Sequence, residues 1–252
     1  MVNLGIHDKK IIGCNHNNFL NIKIGDKTVF CSQCSDLCVH PGFRRMGLTN
    51  IMRETRNLMF TKLNVAMSYA TAENPIVHEN RKKRGRPIFP QPIVEHVKIA
   101  DISLHLEMTH SSGSWFKLPV FQIAKMVEGA KMSYRRSAQK SYVFTIRCVN
   151  RFDERIDVFY NKVKEHFHFL LEKKKEYINW RYGDPRGGVF TIFQAESSNA
   201  VCGYIVLRVN RHVEEYPVGW IVDLLVRPDR VDVAQALVEN AIEFFDSQTS
   251  TS

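Results

Sequence analysis

No stretch of this chain reaches the roughly 18 uncharged apolar residues that a membrane-crossing helix needs, so a helical membrane span is not expected. The N-terminus also lacks an apolar run: Asp8, Lys9 and Lys10 stand where a secretory leader would carry its hydrophobic stretch. A cytoplasmic location is the resulting expectation. Cysteine is sparse and scattered, with Cys14, Cys31, Cys34, Cys38, Cys148 and Cys202 spread over 252 residues. Without a leader these are read as thiols rather than as a disulfide framework. Carboxylates are in deficit, 26 against 35 Lys plus Arg, which gives a formal net charge of +9 and a pI near 9.3. The excess favours an anionic partner without choosing between a phosphate-bearing cofactor, an acidic metabolite, an anionic membrane surface and RNA.

With 44% hydrophobic and 24% charged residues, the chain has the material for a real core and the length for one large or two modest domains. Residues 19–24 and 28–39 read as two strands around the turn Gly25-Asp26-Lys27, a hairpin. Pro41-Gly42 ends the second strand, and Leu48, Ile51, Met52, Thr55, Leu58, Met59 and Leu63 then recur at helical spacing. Residues 65–70 form a short strand candidate. Asn74-Pro75 is suited to open a helix, with Gly85 to close it, before a loop marked by Pro87, Pro90 and Pro92. Residues 109–140 show no period and are read as a connecting region between units at 1–108 and 141–252.

The second unit reads as a strand at 142–149, an amphipathic helix at 153–166, and strands at 189–195 and 201–209. A further strand from Val218 to a break at Pro228 follows, then a helix whose Ala234, Leu237, Val238, Ala241 and Phe245 share a face. The order Asp-Leu-x-Val-x-Pro occurs at Asp36 to Pro41 and again at Asp223 to Pro228, each time before a helix. This suggests a degenerate tandem repeat. The fold class expected is α/β, with mixed, largely antiparallel sheet flanked by helices, in two copies.

The chemistry concentrates in Arg44-Arg45-Met46-Gly47-Leu48-Thr49, between the second strand and the first long helix. A strand that stops at a glycine-bearing loop opening a helix offers unpaired backbone N–H groups and the positive end of a helix dipole. Gly47 lets the main chain approach a pyrophosphate, and Arg44 and Arg45 add charge-assisted hydrogen bonds to its oxygens.

The pattern Leu37-x-Val39-x-Pro41-x-Phe43-Arg44-x-x-Gly47-x-Thr49 resembles the coenzyme-A motif of GNAT acyltransferases, R/Q-x-x-G-x-G/A, including its preceding strand and following helix. The resemblance implies that Arg44, Arg45, Met46, Gly47, Leu48 and Thr49 hold the pyrophosphate of acetyl-CoA. It implies too that Leu37, Cys38 and Val39 pair their backbone with the pantetheine arm. Downstream, Asn74-x-x-Val77 and Gly85 match the spacing of the family's N-x-x-A-x-x-x-Y-x-x-x-G, which adds Asn74 to the cofactor set. Arg81 stands where the family usually has the tyrosine that protonates the departing thiolate. It leaves the general acid unassigned, with Arg81 itself a possible anion stabiliser. Asp36, on the strand beside the thioester, is the candidate base that frees an amine acceptor for acylation, or else a carboxylate that merely bonds a neighbour. A complete unit of this family begins with a strand and two helices, and little of that kind precedes Phe19, so the chain resembles an N-terminally incomplete, tandem or Fem-like member. The second unit lacks a loop glycine and is expected to be degenerate.

Other features carry competing readings. Cys31-x-x-Cys34-x-x-x-Cys38-x-His40 holds enough soft ligands for zinc, but a regular strand would face Cys34 and Cys38 one way and Cys31 the other, so no metal site is expected. Lys82-Lys83-Arg84-Gly85-Arg86-Pro87 resembles an AT-hook, an extended Arg-Gly-Arg in a narrow minor groove; its alternatives are a solvated basic face or a phosphate contact. Asn179-Trp180-Arg181-Tyr182-Gly183-Asp184-Pro185 resembles a segment of tandem GNAT and Fem-like proteins. In the plainer reading its aromatics Trp180 and Tyr182 close a core edge. An N-acyltransferase acting on an amine, an inactive GNAT-fold binding protein and a nucleic-acid binder remain the functional alternatives.

Overall fold

Two turns set the first sheet. Asp8 and Lys9, with φ of 47° and 63°, reverse the chain between β1 (Val2–His7) and β2 (Lys10–Ile24), and Gly25, with φ of 58°, opens the two-residue turn into β3 (Lys27–Val39). Positive φ at these positions matches the twist of the flanking strands, which is why primed turns close hairpins. The computed structural model describes residues 1–71, 79, 82–87, 94, 96–99, 143–210 and 218–249. The expectations placed on Asn74, on Arg81 and on the connecting region 109–140 lie outside these residues.

The helix α1 (Leu48–Lys62) follows β3, and β4 (Met67–Tyr69) returns parallel to β3, pairing Cys31 with Met67 and Gln33 with Tyr69. Leu48 sits over Gly5 and Gly13, where an added Cβ would come within 3.1 Å of its methyl groups, so the small residues let the helix end lie close on the strands. Met52 is the residue of α1 whose side chain is buried. Ile51 and Leu58, expected on the core face, are exposed, because an apolar stripe wider than the contacted face leaves its rim in water.

The second sheet is antiparallel in the order β5-β7-β8-β9, from β5 (Thr145–Val149), β7 (Thr191–Ser197), β8 (Ala200–Asn210) and β9 (Val218–Val226). The helices α2 (Arg155–Val163), α3 (Lys175–Gly183) and α4 (Val231–Thr249) accompany it. Ile205 and Leu207 of β8 meet Val233, Leu237 and Ala241 of α4 in a buried cluster. Each large aliphatic removed from water there contributes about 1.5–3 kcal/mol. The architecture is the mixed α/β arrangement the sequence predicts, with antiparallel pairing dominant. No helix among the described residues is long and apolar enough to cross a membrane.

Four details correct the sequence reading. The region before Phe19 is not bare: β1 and the first half of β2 fill it, disguised because inward positions of β2 carry Asn15 and Asn17, both buried. The strand β6 (Phe169–Leu171) lies in the first sheet, antiparallel to Ile22–Ile24 of β2, although its place in sequence grouped it with the second unit. The chain accordingly divides into Met1–Ile93 with Lys164–Lys173, and Val94–Val163 with Lys174–Ser252. The cysteines of β3 face differently from a regular strand: a bulge sets Asp36 and Leu37 opposite Asn15 and puts Cys38 on the face of Cys31, with Cys34 on the other. Finally Trp180 is 54% exposed, and the segment is anchored by Asn179, which bonds both the N–H and the C=O of Phe152, and by Tyr182.

Candidate functional site

The loop after β3 is built by a sequence of backbone constraints. His40 still belongs to the hairpin, since its N–H donates to the Ile12 carbonyl at 2.8 Å. Pro41–Phe43 then make one short 3-10 turn, with His40 Nδ1 accepting from the Gly42 N–H at 3.2 Å. Arg45 and Gly47 both adopt left-handed conformations, with φ of 66° and 80°, which turn the chain into α1. Gly47 is the N-cap of α1, and no side chain caps that end; the Asn50 N–H turns back to the Gly47 carbonyl at 2.8 Å, which leaves the N–H groups of Leu48 and Thr49 at the open helix start. A Cβ on Gly47 would meet nothing within 4 Å, so the glycine is required for its dihedral angle rather than for space within the protein.

The side chains around the loop are basic and available. Arg44 Nε donates to the Val39 carbonyl at 3.2 Å, which holds the guanidinium against the strand end. Among the described residues, no carboxylate pairs with Arg44 or Arg45. Arg84 Nη2 reaches Asn50 Oδ1 at 3.4 Å, which brings the basic segment beside the first turn of α1. There Gly85, with φ of 63°, donates its N–H to the Lys82 carbonyl at 3.0 Å, so the Arg-Gly-Arg run closes a turn and does not have the extended form of an AT-hook. Met46 is exposed, and Leu48 points inward onto Gly5 and Gly13, leaving its backbone rather than its side chain for a ligand.

The strand before the loop has an open edge. β3 pairs with β4 only over Cys31, Ser32 and Gln33, and beyond them Cys34 to Val39 pair only with β2 on the other side, among the described residues. Because His40 directs its backbone at β2, alternation directs that of Val39 to the open edge, where Arg44 meets its carbonyl. Leu37 is 52% exposed and Cys38 is also exposed. Asp36, with φ of 49°, lies in the bulge; its Oδ2 is 3.0 Å from His16 Nδ1 and 3.2 Å from Ser35 Oγ. These hydrogen bonds, the one from His16 foremost, hold its carboxyl below the usual carboxylate range, so Asp36 is a weak proton acceptor. His16 is the residue that sequence reasoning missed: it sits in an asparagine-rich strand, and only the register between β2 and β3 brings it to Asp36.

The corresponding turn in the second unit has different chemistry. β9 also bulges beside its aspartate, with Val222 extra between the pairs Val206–Asp223 and Leu207–Ile221. Asp223 is buried, and its Oδ2 accepts from Tyr182 at 2.9 Å and Tyr204 at 3.0 Å; burial pushes both phenols above their ordinary range. The arginines that open α4 are already paired, Arg227 with Asp229 at 2.6 Å and Arg230 with Asp232 at 2.9 Å. Both arginines of this turn are therefore neutralised locally by a carboxylate, and residues 227–230 include no glycine.

Comparison with known proteins finds a family-model match for one part of the chain. Residues 154–250 match the model of the acetyltransferase (GNAT) family. A search among curated proteins finds no significant match. Similar solved structures include a probable N-acyltransferase from Enterococcus faecalis, at 11% identity and TM-score 0.49, covering 97% of this chain and 50% of that one. Saccharomyces cerevisiae N-myristoyltransferase with bound myristoyl-CoA is similar at 12% identity and TM-score 0.47, with 84% and 49% covered. Eis1 from Mycobacterium abscessus is similar at 9% identity and TM-score 0.48, with 94% and 52% covered. The chain spans about half the length of these structures. The likeness to the GNAT acetyltransferase family model is thus carried by residues 154–250, in the second unit.

Proposed function

We propose that the chain binds acyl-coenzyme A at residues 37–49 and serves acyl transfer to an amine. The observation that carries this reading is the conjunction of the open β3 edge with an uncapped helix start at Gly47, flanked by Arg44 and Arg45. The donor fits these residues from its two ends: the pyrophosphate takes the first-turn N–H groups and the arginines, and the pantetheine amides take the edge of Leu37, Cys38 and Val39. Acetyl-CoA is the donor proposed, and Asn74 and Arg81 belong to the same proposed site. The second unit serves as a companion domain, because Asp229 and Asp232 oppose phosphate at its equivalent turn.

In the transfer step the amine nitrogen attacks the thioester carbonyl, the C–S bond breaks, and coenzyme A leaves as thiolate. Main-chain N–H groups at the bulge are suited to polarise the carbonyl, and Arg81 to stabilise the thiolate. Asp36 contributes negative charge and, through His16, a route to remove the amine proton; its own low affinity for a proton limits it as the sole base. A binding protein without turnover is the second reading, favoured by that same weakness of Asp36.

Calorimetry with acetyl-CoA tests the site. Binding in the micromolar range is expected, weakened at least about tenfold, or about 1.4 kcal/mol, in Gly47→Asp, which brings a carboxylate to the phosphate position. No binding at millimolar ligand, or a Gly47→Asp variant that binds like wild type, overturns the reading. Thiol release from acetyl-CoA and longer acyl-CoAs with a panel of amines then separates an enzyme from a binder and fixes the acyl group.

A further inference from the structure

We propose that Cys14 and Cys38 form a reversible dithiol–disulfide pair across β2 and β3, oxidised by low-molecular-weight disulfides such as glutathione disulfide. The two are register partners in the antiparallel ladder, and their sulfurs lie 3.2 Å apart. Directly opposite residues of an antiparallel pair have Cα atoms about 4.5–5.5 Å apart, inside the span a disulfide bridges, and here the two side chains already bring their sulfurs together on one face of the ladder. The bulge at Asp36 creates this arrangement; in an unbulged strand a one-residue shift of phase would send Cys38 to the opposite face.

The surroundings assign the two sulfurs different parts. Cys38 is exposed and meets the small disulfide first. Cys14 is half-buried, and its thiol hydrogen-bonds Cys38 and the Asp36 carbonyl, 3.4 Å away; the bond with Cys38 is the largest cause holding it in the protonated form. The Cys38 thiolate attacks one sulfur of glutathione disulfide, forming a mixed disulfide and releasing one glutathione. Cys14 then loses its proton to solvent and attacks the Cys38 sulfur, releasing the second glutathione. Two protein thiols are oxidised and one glutathione disulfide is reduced to two thiols, so electrons and atoms balance. The other cysteines of this sheet are placed differently: Cys31 is buried and Cys34 accepts a hydrogen bond from Arg56 at 3.4 Å.

The test equilibrates the whole chain with glutathione and glutathione disulfide, counts thiols after denaturation and maps linked peptides by mass spectrometry. Two of the six thiols should disappear from the monomer, in one peptide pair containing Cys14 and Cys38, and return on reduction. In Cys14→Ser and Cys14→Ala, Cys38 should stop at the mixed disulfide with glutathione. Retention of all six thiols, linkage through any other cysteine, or linkage only between chains overturns the proposal. Peptide mapping of the unmodified sequence decides it even where a variant folds poorly, and circular dichroism identifies that case.

Discussion

At Gly47 the backbone stands at a φ of 80° with open space around the missing side chain. Substitution by alanine therefore tests dihedral strain alone. Gly47→Ala is expected to cost about 1 kcal/mol in urea unfolding, the price of a non-glycine residue in the left-handed region, without a packing defect. At Asp36 the electrostatics can be read by titration. Its native pKa is depressed, so its contribution to stability is full above the unfolded carboxylate pKa and disappears as pH falls through the lower native value. His16→Asn removes the main hydrogen bond, and carbon-detected NMR should then find the Asp36 midpoint moved up toward the ordinary carboxylate range. An unchanged midpoint would show that His16 does not govern it.

Among the elements, β6 is held to the first sheet by a lysine. Lys23 is 9% exposed, and its Nζ donates to the carbonyls of Lys164 and Phe167, both at 2.8 Å. Lys23→Met keeps the aliphatic stem and removes both bonds, leaving two carbonyls short of a donor; a loss of about 2–3 kcal/mol is expected from chemical denaturation. Exchange of amide hydrogens should rise first around Gly25, whose N–H donates to the His168 carbonyl at 2.7 Å. In the second sheet the close approach of α4 depends on Gly203. A Cβ there would come within 2.8 Å of Val226 and 3.1 Å of Val233, so Gly203→Ala should destabilise by about 1–3 kcal/mol through overpacking, seen as a lowered Tm.

For the molecule as a whole, the excess of nine positive charges works with the loop rather than replacing it. If the proposed site binds a polyanionic donor, raising salt from about 50 mM to about 500 mM should weaken it severalfold, because screening cuts the long-range part of the attraction. Gly47→Asp should reduce binding at both salt concentrations, whereas a merely diffuse basic surface would lose all binding at high salt and ignore the variant. The paired arginines of the second unit contribute little to such a field, since Asp229 and Asp232 neutralise them locally.

What the sequence determined by itself was local. The hairpin at Gly25, the break at Pro41, the strand–loop–helix order and the long apolar face of α4 all follow from turn chemistry and hydrophobic period, which act over a few residues. The turn at Asp8-Lys9 carries the same chemistry, but the charged residues hide it beside a strand whose inward positions are asparagines. Tertiary structure alone decided whatever depends on register. The bulge at Asp36 sets which cysteines share a face and brings His16 to the carboxylate, and a three-residue strand, β6, crosses to a sheet formed mostly by distant sequence. A one-residue change of phase reverses every side chain beyond it, and no periodicity within a single strand records which residue of the partner strand stands opposite.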